Sequence, residues 1–143
     1  MDYLVSHQWS YLPCWYTAGV HCSATDTETW LRYEIPTDVV NINGYICHRK
    51  DRPGGRCGGD VAVYVRDDLL CHGLNTYEQI QFDVIWLLFR TSRMPRTVSH
   101  IAVAAVYHPP AANGRTLITY LVDFLDQLNR HHPYAGCTVV RRL

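Results

Sequence analysis

An α+β domain of stacked layers is what this sequence predicts, and three observations carry it. Residues 60–66, 84–90 and 98–107 have the β-branched and apolar density of strands. Residues 116–130 form one amphipathic helix, and 137–140 begin another apolar strand. Strands followed by a single helix and a further strand define a mixed α/β or α+β layered arrangement.

Each element has its own justification. Residues 1–23 contain Trp9, Tyr11, Leu12, Trp15 and Tyr16 with no period of 2 or 3.6, so they stay an unassigned segment before a domain over 24–143. The first strand, Asp60-Val61-Ala62-Val63-Tyr64-Val65-Arg66, is entered through the glycine-rich stretch 54–59. That stretch matches neither phosphate-binding glycine pattern, and it precedes a strand where those precede a helix, so a tight loop is expected. The strand over 84–90 is apolar on both faces, which predicts a central position. Residues 92–97, with Pro95 inside, read as a hairpin turn, and the strand over 98–107 stops at Pro109-Pro110. In the helix, Leu117, Leu121, Phe124, Leu125 and Leu128 make one stripe on a 3.6-residue period. Asn113 or Thr116 can cap its start, and Pro133 stops it after His131-His132.

Composition narrows the function classes. Of 143 residues, 48% are apolar and 18% charged, which excludes disorder, collagen and coiled coil. No apolar run reaches the roughly 18 to 20 residues of a spanning helix, so no membrane partner is expected. Thirteen basic side chains balance thirteen acidic ones, so nucleic-acid affinity cannot come from net charge and needs a local patch. The six cysteines form no Cys-x-x-Cys pair and stand near no His-x₃₋₅-His, which argues against zinc. The opening Met1-Asp2-Tyr3-Leu4 lacks a basic segment followed by an apolar stretch, which predicts a reducing intracellular compartment, nuclear or cytoplasmic, and free thiols.

Several motifs could carry chemistry. His48-Arg49-Lys50-Asp51-Arg52 with Arg56 places four fixed positive charges within eight residues. This is a candidate phosphate-contacting loop built on Arg49, Lys50, Arg52 and Arg56, although solvated charged loops have the same composition. In Glu28-Thr29-Trp30-Leu31 a carboxylate leaves a strand ahead of a large aromatic, an arrangement suited to a hard cation. In Tyr107-His108-Pro109-Pro110 the prolines fix the backbone at a strand end, where a phenol can be aimed into a cleft. His131-His132 are adjacent and so point about 100° apart on a helix; they suit its C-terminal dipole better than a shared metal.

Taken in order, Glu28-Thr29-Trp30-Leu31, Asn43-Gly44-Tyr45, Arg49-Lys50-Asp51-Arg52, Gly58 to Val65, Ile85-Trp86-Leu87 and Val106 to Pro110 resemble the endonuclease/exonuclease/phosphatase superfamily. The nearest branch by pattern is the endonuclease domain of LINE-type non-LTR retrotransposon polyproteins. The likeness runs over residues 25–140, roughly four-fifths of the chain. It implies a four-layer α/β/β/α sandwich that cleaves a phosphodiester of DNA with Mg²⁺ and no small-molecule cofactor. In that family the metal polarises the phosphate, a His–Asp pair activates water, and an Asn and an Asp position the attack. Carried over by motif, Glu28 matches the metal ligand and Tyr107 the catalytic, phosphate-contacting tyrosine. Asp51 and Arg52 match an element that is structural or close to DNA.

The departures are as informative. Residues 1–23 contain no Asn, where the family opens with a metal-site Asn. Arg141-Arg142-Leu143 stands where Gly-Asp-x-Asn is expected, no Ser-Asp-His occurs, and Asp60 replaces a third glycine. The expectation is therefore a partial sandwich, truncated at both ends and catalytically incompetent alone, since each lost member of such a unit costs orders of magnitude in rate. The alternatives are a non-catalytic nucleic-acid-binding remnant or a decayed reading frame. A partial second sheet would leave Val84, Trp86, Leu88, Ile101, Val103 and Val139 short of covering partners, which predicts a molten or self-associating product.

Overall fold

The computed structural model describes residues 10–11, 24–29, 34–51, 60–90, 96–109 and 111–141, with backbone alone at 10–11, 24–29, 60, 140 and 141. Eight strands and one helix follow in the order β1 (Ser10–Tyr11), β2 (Ala24–Thr29), β3 (Tyr45–Lys50), β4 (Asp60–Arg66), β5 (Leu70–Gly73), β6 (Asp83–Arg90), β7 (His100–Tyr107), α1 (Gly114–His131) and β8 (Ala135–Arg141). They make two four-stranded sheets, β1-β2-β4-β3 and β5-β6-β7-β8. All neighbours are antiparallel except β7 and β8, which run parallel because α1 carries the chain back between them. The fold is thus α+β, with two sheets and a helix. Among the described residues no helix is long and apolar enough to cross a membrane.

The core divides at β6. Its residues Ile85, Leu87 and Phe89 face the other sheet and pack with Val61, Val63 and Val65 of β4 and Val103 and Ala105 of β7. Val84, Trp86 and Leu88 point to the opposite face, where Leu117, Tyr120, Phe124 and Leu128 of α1 cover them. Strand alternation explains the split, since a strand buried on both faces must be apolar at every position. Ala102 and Ala104 floor the helix side of β7, and their small side chains let α1 approach closely. The Trp86 and Phe124 rings stack there with centroids 3.4 Å apart. Trp86 Nε1 donates to Tyr120 Oη at 2.8 Å, and that hydroxyl donates to the Tyr77 carbonyl at 2.9 Å, so each polar tip in this layer is satisfied.

The structure corrects three expectations. Val84, Trp86, Leu88 and Val103 do not lack partners: all four are buried, the first three under α1 rather than against the other sheet. Val139 alone of that group is left 45% exposed, because β8 is the edge strand and not a buried one. Residues 48–50 are not loop but the end of β3, pairing with Val63, Ala62 and Val61 of β4. Their polarity suits an edge strand, which needs an apolar side chain on one face only. Part of the unassigned segment also joins the fold, as Ser10 and Tyr11 pair with Thr25 and Ala24 of β2.

Candidate functional site

The register gathers chemically relevant strand ends at one end of the sandwich. Thr29, closing β2, pairs with Asp60, opening β4; Lys50, closing β3, pairs with Val61. Across the sandwich, Asp83 opens β6 and pairs with Tyr107, which closes β7. The Lys50 ammonium joins the two sheets by donating to the Phe82 carbonyl at 2.9 Å and the Val84 carbonyl at 3.4 Å, either side of Asp83. The strand ends bearing Glu28 and Tyr107, far apart in sequence, therefore belong to the same end of the molecule.

Glu28 sits at an irregularity in β2. Thr27 pairs with Val61 and Thr29 with Asp60, so Glu28 is the extra residue of a bulge. Bulges bend a strand locally and re-aim a side chain, and they are common beside active sites. Trp30, expected to pack under Glu28, lies outside the described residues, as do Arg52, Arg56 and the glycine-rich stretch 54–59.

Tyr107 is half-buried and packs against the core between the sheets. With Asp83 it borders a cleft of about 280 Å³ that also has Phe82, His108, Asn113 and Thr116 in its walls. The first turn of α1 forms one side. Asn113 caps it, its Oδ1 accepting from the Arg115 N–H at 3.0 Å, and the Thr116 hydroxyl donates back to the Asn113 carbonyl at 2.7 Å. His108 seats its ring against this turn, and its Nε2 is buried with no hydrogen-bond partner among the described residues. The sequence singled out the Tyr107-His108-Pro109-Pro110 motif, with no role for His108, and did not single out Phe82 or Asp83. Pairing of Asp83 opposite Tyr107 depends on β-register, which no local pattern reveals.

Two of the four predicted nucleic-acid contacts have internal partners. Arg49 holds Asp51 through two contacts, Nε to Oδ1 at 2.9 Å and Nη2 to Oδ2 at 2.6 Å, and donates from Nη1 to the Ile35 carbonyl at 2.6 Å. Its side chain is only 12% exposed. Lys50 donates also to the Gln79 carbonyl at 2.9 Å and stands 3.9 Å from Glu78. Burial pushes the Lys50 pKa below the ordinary lysine value, with Glu78 and Asp83 acting in the opposite direction. Arg49 thus anchors the segment after β2, and Lys50 fastens the turn before β6.

Among the described residues, the most strongly shifted thiol lies away from this end. Cys71 sits at the sheet's far end from Asp83, paired with Phe89, and burial pushes its thiol up to about 12. A thiol with that pKa supplies almost no thiolate at neutral pH. Cys47, Cys71 and Cys137 are free, as the sequence predicts for the cysteines among the described residues.

No protein-family profile, curated protein or solved structure matches the chain.

Proposed function

We propose that residues 24–143 are part of a Mg²⁺-dependent phosphodiester-cleaving endonuclease domain of the LINE-type retrotransposon kind, acting on DNA and built on a four-layer α/β/β/α plan. The observation that carries the reading is the meeting of the Glu28 and Tyr107 strand ends at one end of a two-sheet sandwich, beside a cleft, in a chain whose motifs follow the family order. On this reading Glu28 holds the metal and Tyr107 contacts the phosphate. Mg²⁺ usually binds one or two carboxylates and takes the rest of its shell from water and phosphate, so a single strand-end carboxylate fits that ion as a partial donor set. When bound, the metal would polarise the phosphate. Lys50 contributes by fastening the two sheets together beside the site, and Arg49 by anchoring the segment after β2, rather than by meeting DNA.

These 143 residues contain neither Gly-Asp-x-Asn nor Ser-Asp-His, so they carry no water-activating pair of the family type and do not turn over by themselves. Purified protein incubated with supercoiled plasmid and Mg²⁺ is expected to leave the plasmid intact. Nicking that disappears in Glu28→Ala would overturn the claim of incompetence while upholding the site.

A further inference from the structure

We propose that His72, Arg90, His100 and His132 form a phosphate-binding patch that holds the backbone of a DNA duplex, at the end of the molecule opposite the Tyr107 cleft. The choice of DNA as the source of that phosphate rests on the endonuclease reading; the affinity of the patch for phosphate does not.

Four elements bring these side chains together. β6 ends at Arg90 and β7 begins at His100, about 24 Å along the strand from Tyr107. Extending the pairing of Leu88 with Ala102 and Phe89 with Ile101 by one step sets Arg90 opposite His100, and His72 of β5 pairs with Leu88. Leu88 and Ala102 belong to the layer under α1, so strand alternation turns His72, Arg90 and His100 to that same side of the sheet. There α1 ends, and its C-cap His132 lies against His100 with ring centroids 5.5 Å apart. His72 and Arg90 are exposed, and His100 and His132 are half-buried.

The cluster lacks a counter-charge. Among the described residues no carboxylate pairs with any of the four. Residues 91–99, which join β6 to β7, add Arg93 and Arg96 and contain no Asp or Glu, and Ala135-Gly136 at the start of β8 carries no charge. The dipole of α1 accounts for a cation at its C-terminus, and His131 already sits there, its Nδ1 2.9 Å from the Gln127 carbonyl and 3.1 Å from the Tyr77 hydroxyl. It does not account for Arg90 and His100, brought in by two strands. Like charges gathered without an opposite one repel, and a bound anion relieves that repulsion. Phosphate suits the donors, since a guanidinium offers it paired N–H groups and each imidazolium one more. With net charge zero, DNA affinity needs a local patch, and Arg49 and Lys50 are engaged internally.

The patch responds to pH. Burial, together with the positive charges of His132, Arg90 and His72, holds the His100 imidazole below its ordinary value, and no carboxylate opposes them. A phosphate beside it favours the imidazolium and raises that value. Between the two values binding takes up a proton, so affinity rises as pH falls.

Fluorescence anisotropy of a labelled duplex of about 20 base pairs, at low salt with EDTA in place of Mg²⁺, tests this on the 143-residue protein. Lowering the pH from about 7.5 to about 5.5 is expected to tighten binding about tenfold, because the imidazoles protonate near 6.5 or below. The double variant His100→Gln/His132→Gln should lose most of that gain, whereas His48→Gln, on the other sheet, should keep it. Arg90→Gln should lessen the slope of log K against log[salt] by about 0.9. Near-UV circular dichroism at both pH values checks that each variant is folded. No binding at either pH overturns the proposal, as does a tightening that survives the double variant or an unchanged slope in Arg90→Gln. Inorganic phosphate, titrated alone against the imidazole NMR signals, separates the sources: a response to it without duplex binding would overturn DNA as the ligand. Since binding is read without cleavage, failure here leaves the Glu28–Tyr107 site standing, and failure of that site leaves the patch standing.

Discussion

Lys50 illustrates how much a single residue can contribute by position. An ammonium that donates to the carbonyls of Gln79, Phe82 and Val84 does work that water would otherwise do for three backbone acceptors. Removing it leaves partly buried carbonyls unpaired, at a cost of about 1–3 kcal/mol. Lys50→Met is therefore expected to lower the unfolding free energy by about 2 kcal/mol in urea titrations. The same variant separates a structural lysine from a DNA contact. A lost phosphate contact changes the slope of log K against log[salt] by about 0.9 on duplex DNA, and here the slope should stay within experimental error. His48 yields a test in pH. Burial holds its imidazole below the ordinary value, so the unfolded chain binds a proton that the folded chain refuses. Stability must then rise with pH through the window between the lowered folded value and the unfolded value of about 6.5. Acidification from neutral should lower the urea midpoint, and His48→Gln should lessen that fall; an identical fall in the variant would rule His48 out. At this scale the sequence was only partly legible. Arg49 and Lys50 were visible as charges, but their partners Ile35, Gln79 and Phe82 lie 14 to 32 positions away. Charge runs do not reveal such contacts.

Among the elements, α1 and the central strands were readable because burial imposes a strict pattern on them. The helix stripe located α1 to within two residues, from the expected 116–130 to Gly114–His131, and Asn113 caps it as its side chain allows. Tyr120 was not in that stripe, since a tyrosine reads as polar until Trp86 and Tyr77 supply partners for its hydroxyl. β3 and β5 escaped notice for a related reason: each is an edge strand, short or polar, with little apolar density to mark it. The helix layer can be tested directly. Phe124 is 2% exposed and stacks on Trp86, so Phe124→Ala should destabilise by about 3–5 kcal/mol, the range for truncating a core aromatic. Asn113→Ala, which removes one cap bond, should cost about 1 kcal/mol. A Phe124→Ala cost no larger than that of Asn113→Ala would show that α1 does not seal this face of the sheet.

The whole molecule couples two packed layers through β6, one between the sheets and one under the helix. Coupling through one strand explains why Val84, Trp86 and Leu88 stay buried although Val139 on the β8 edge is exposed. An edge strand such as β8 has a neighbour on one side only among the described residues, while strands further in are covered on both faces. The α+β class and the order of β4, β6, β7, α1 and β8 along the chain were legible from pattern alone, because alternation and helical period follow from burial. The convergence of the Glu28 and Tyr107 strand ends was not, for it depends on the registers of β2 on β4 and β6 on β7. That convergence is the basis for the endonuclease reading, and restoration of the absent motifs tests it most directly. Residues 24–140 can be joined to the opening strand and closing half of a LINE-type endonuclease domain, supplying the Asn, the Gly-Asp-x-Asn and the Ser-Asp-His, and a folded hybrid assayed for nicking of supercoiled plasmid with Mg²⁺. The account predicts nicking by the hybrid, its loss in Glu28→Ala and in Tyr107→Phe, and none by the 143 residues alone. A folded hybrid that leaves the plasmid intact, or one that nicks equally well without Glu28, would contradict it.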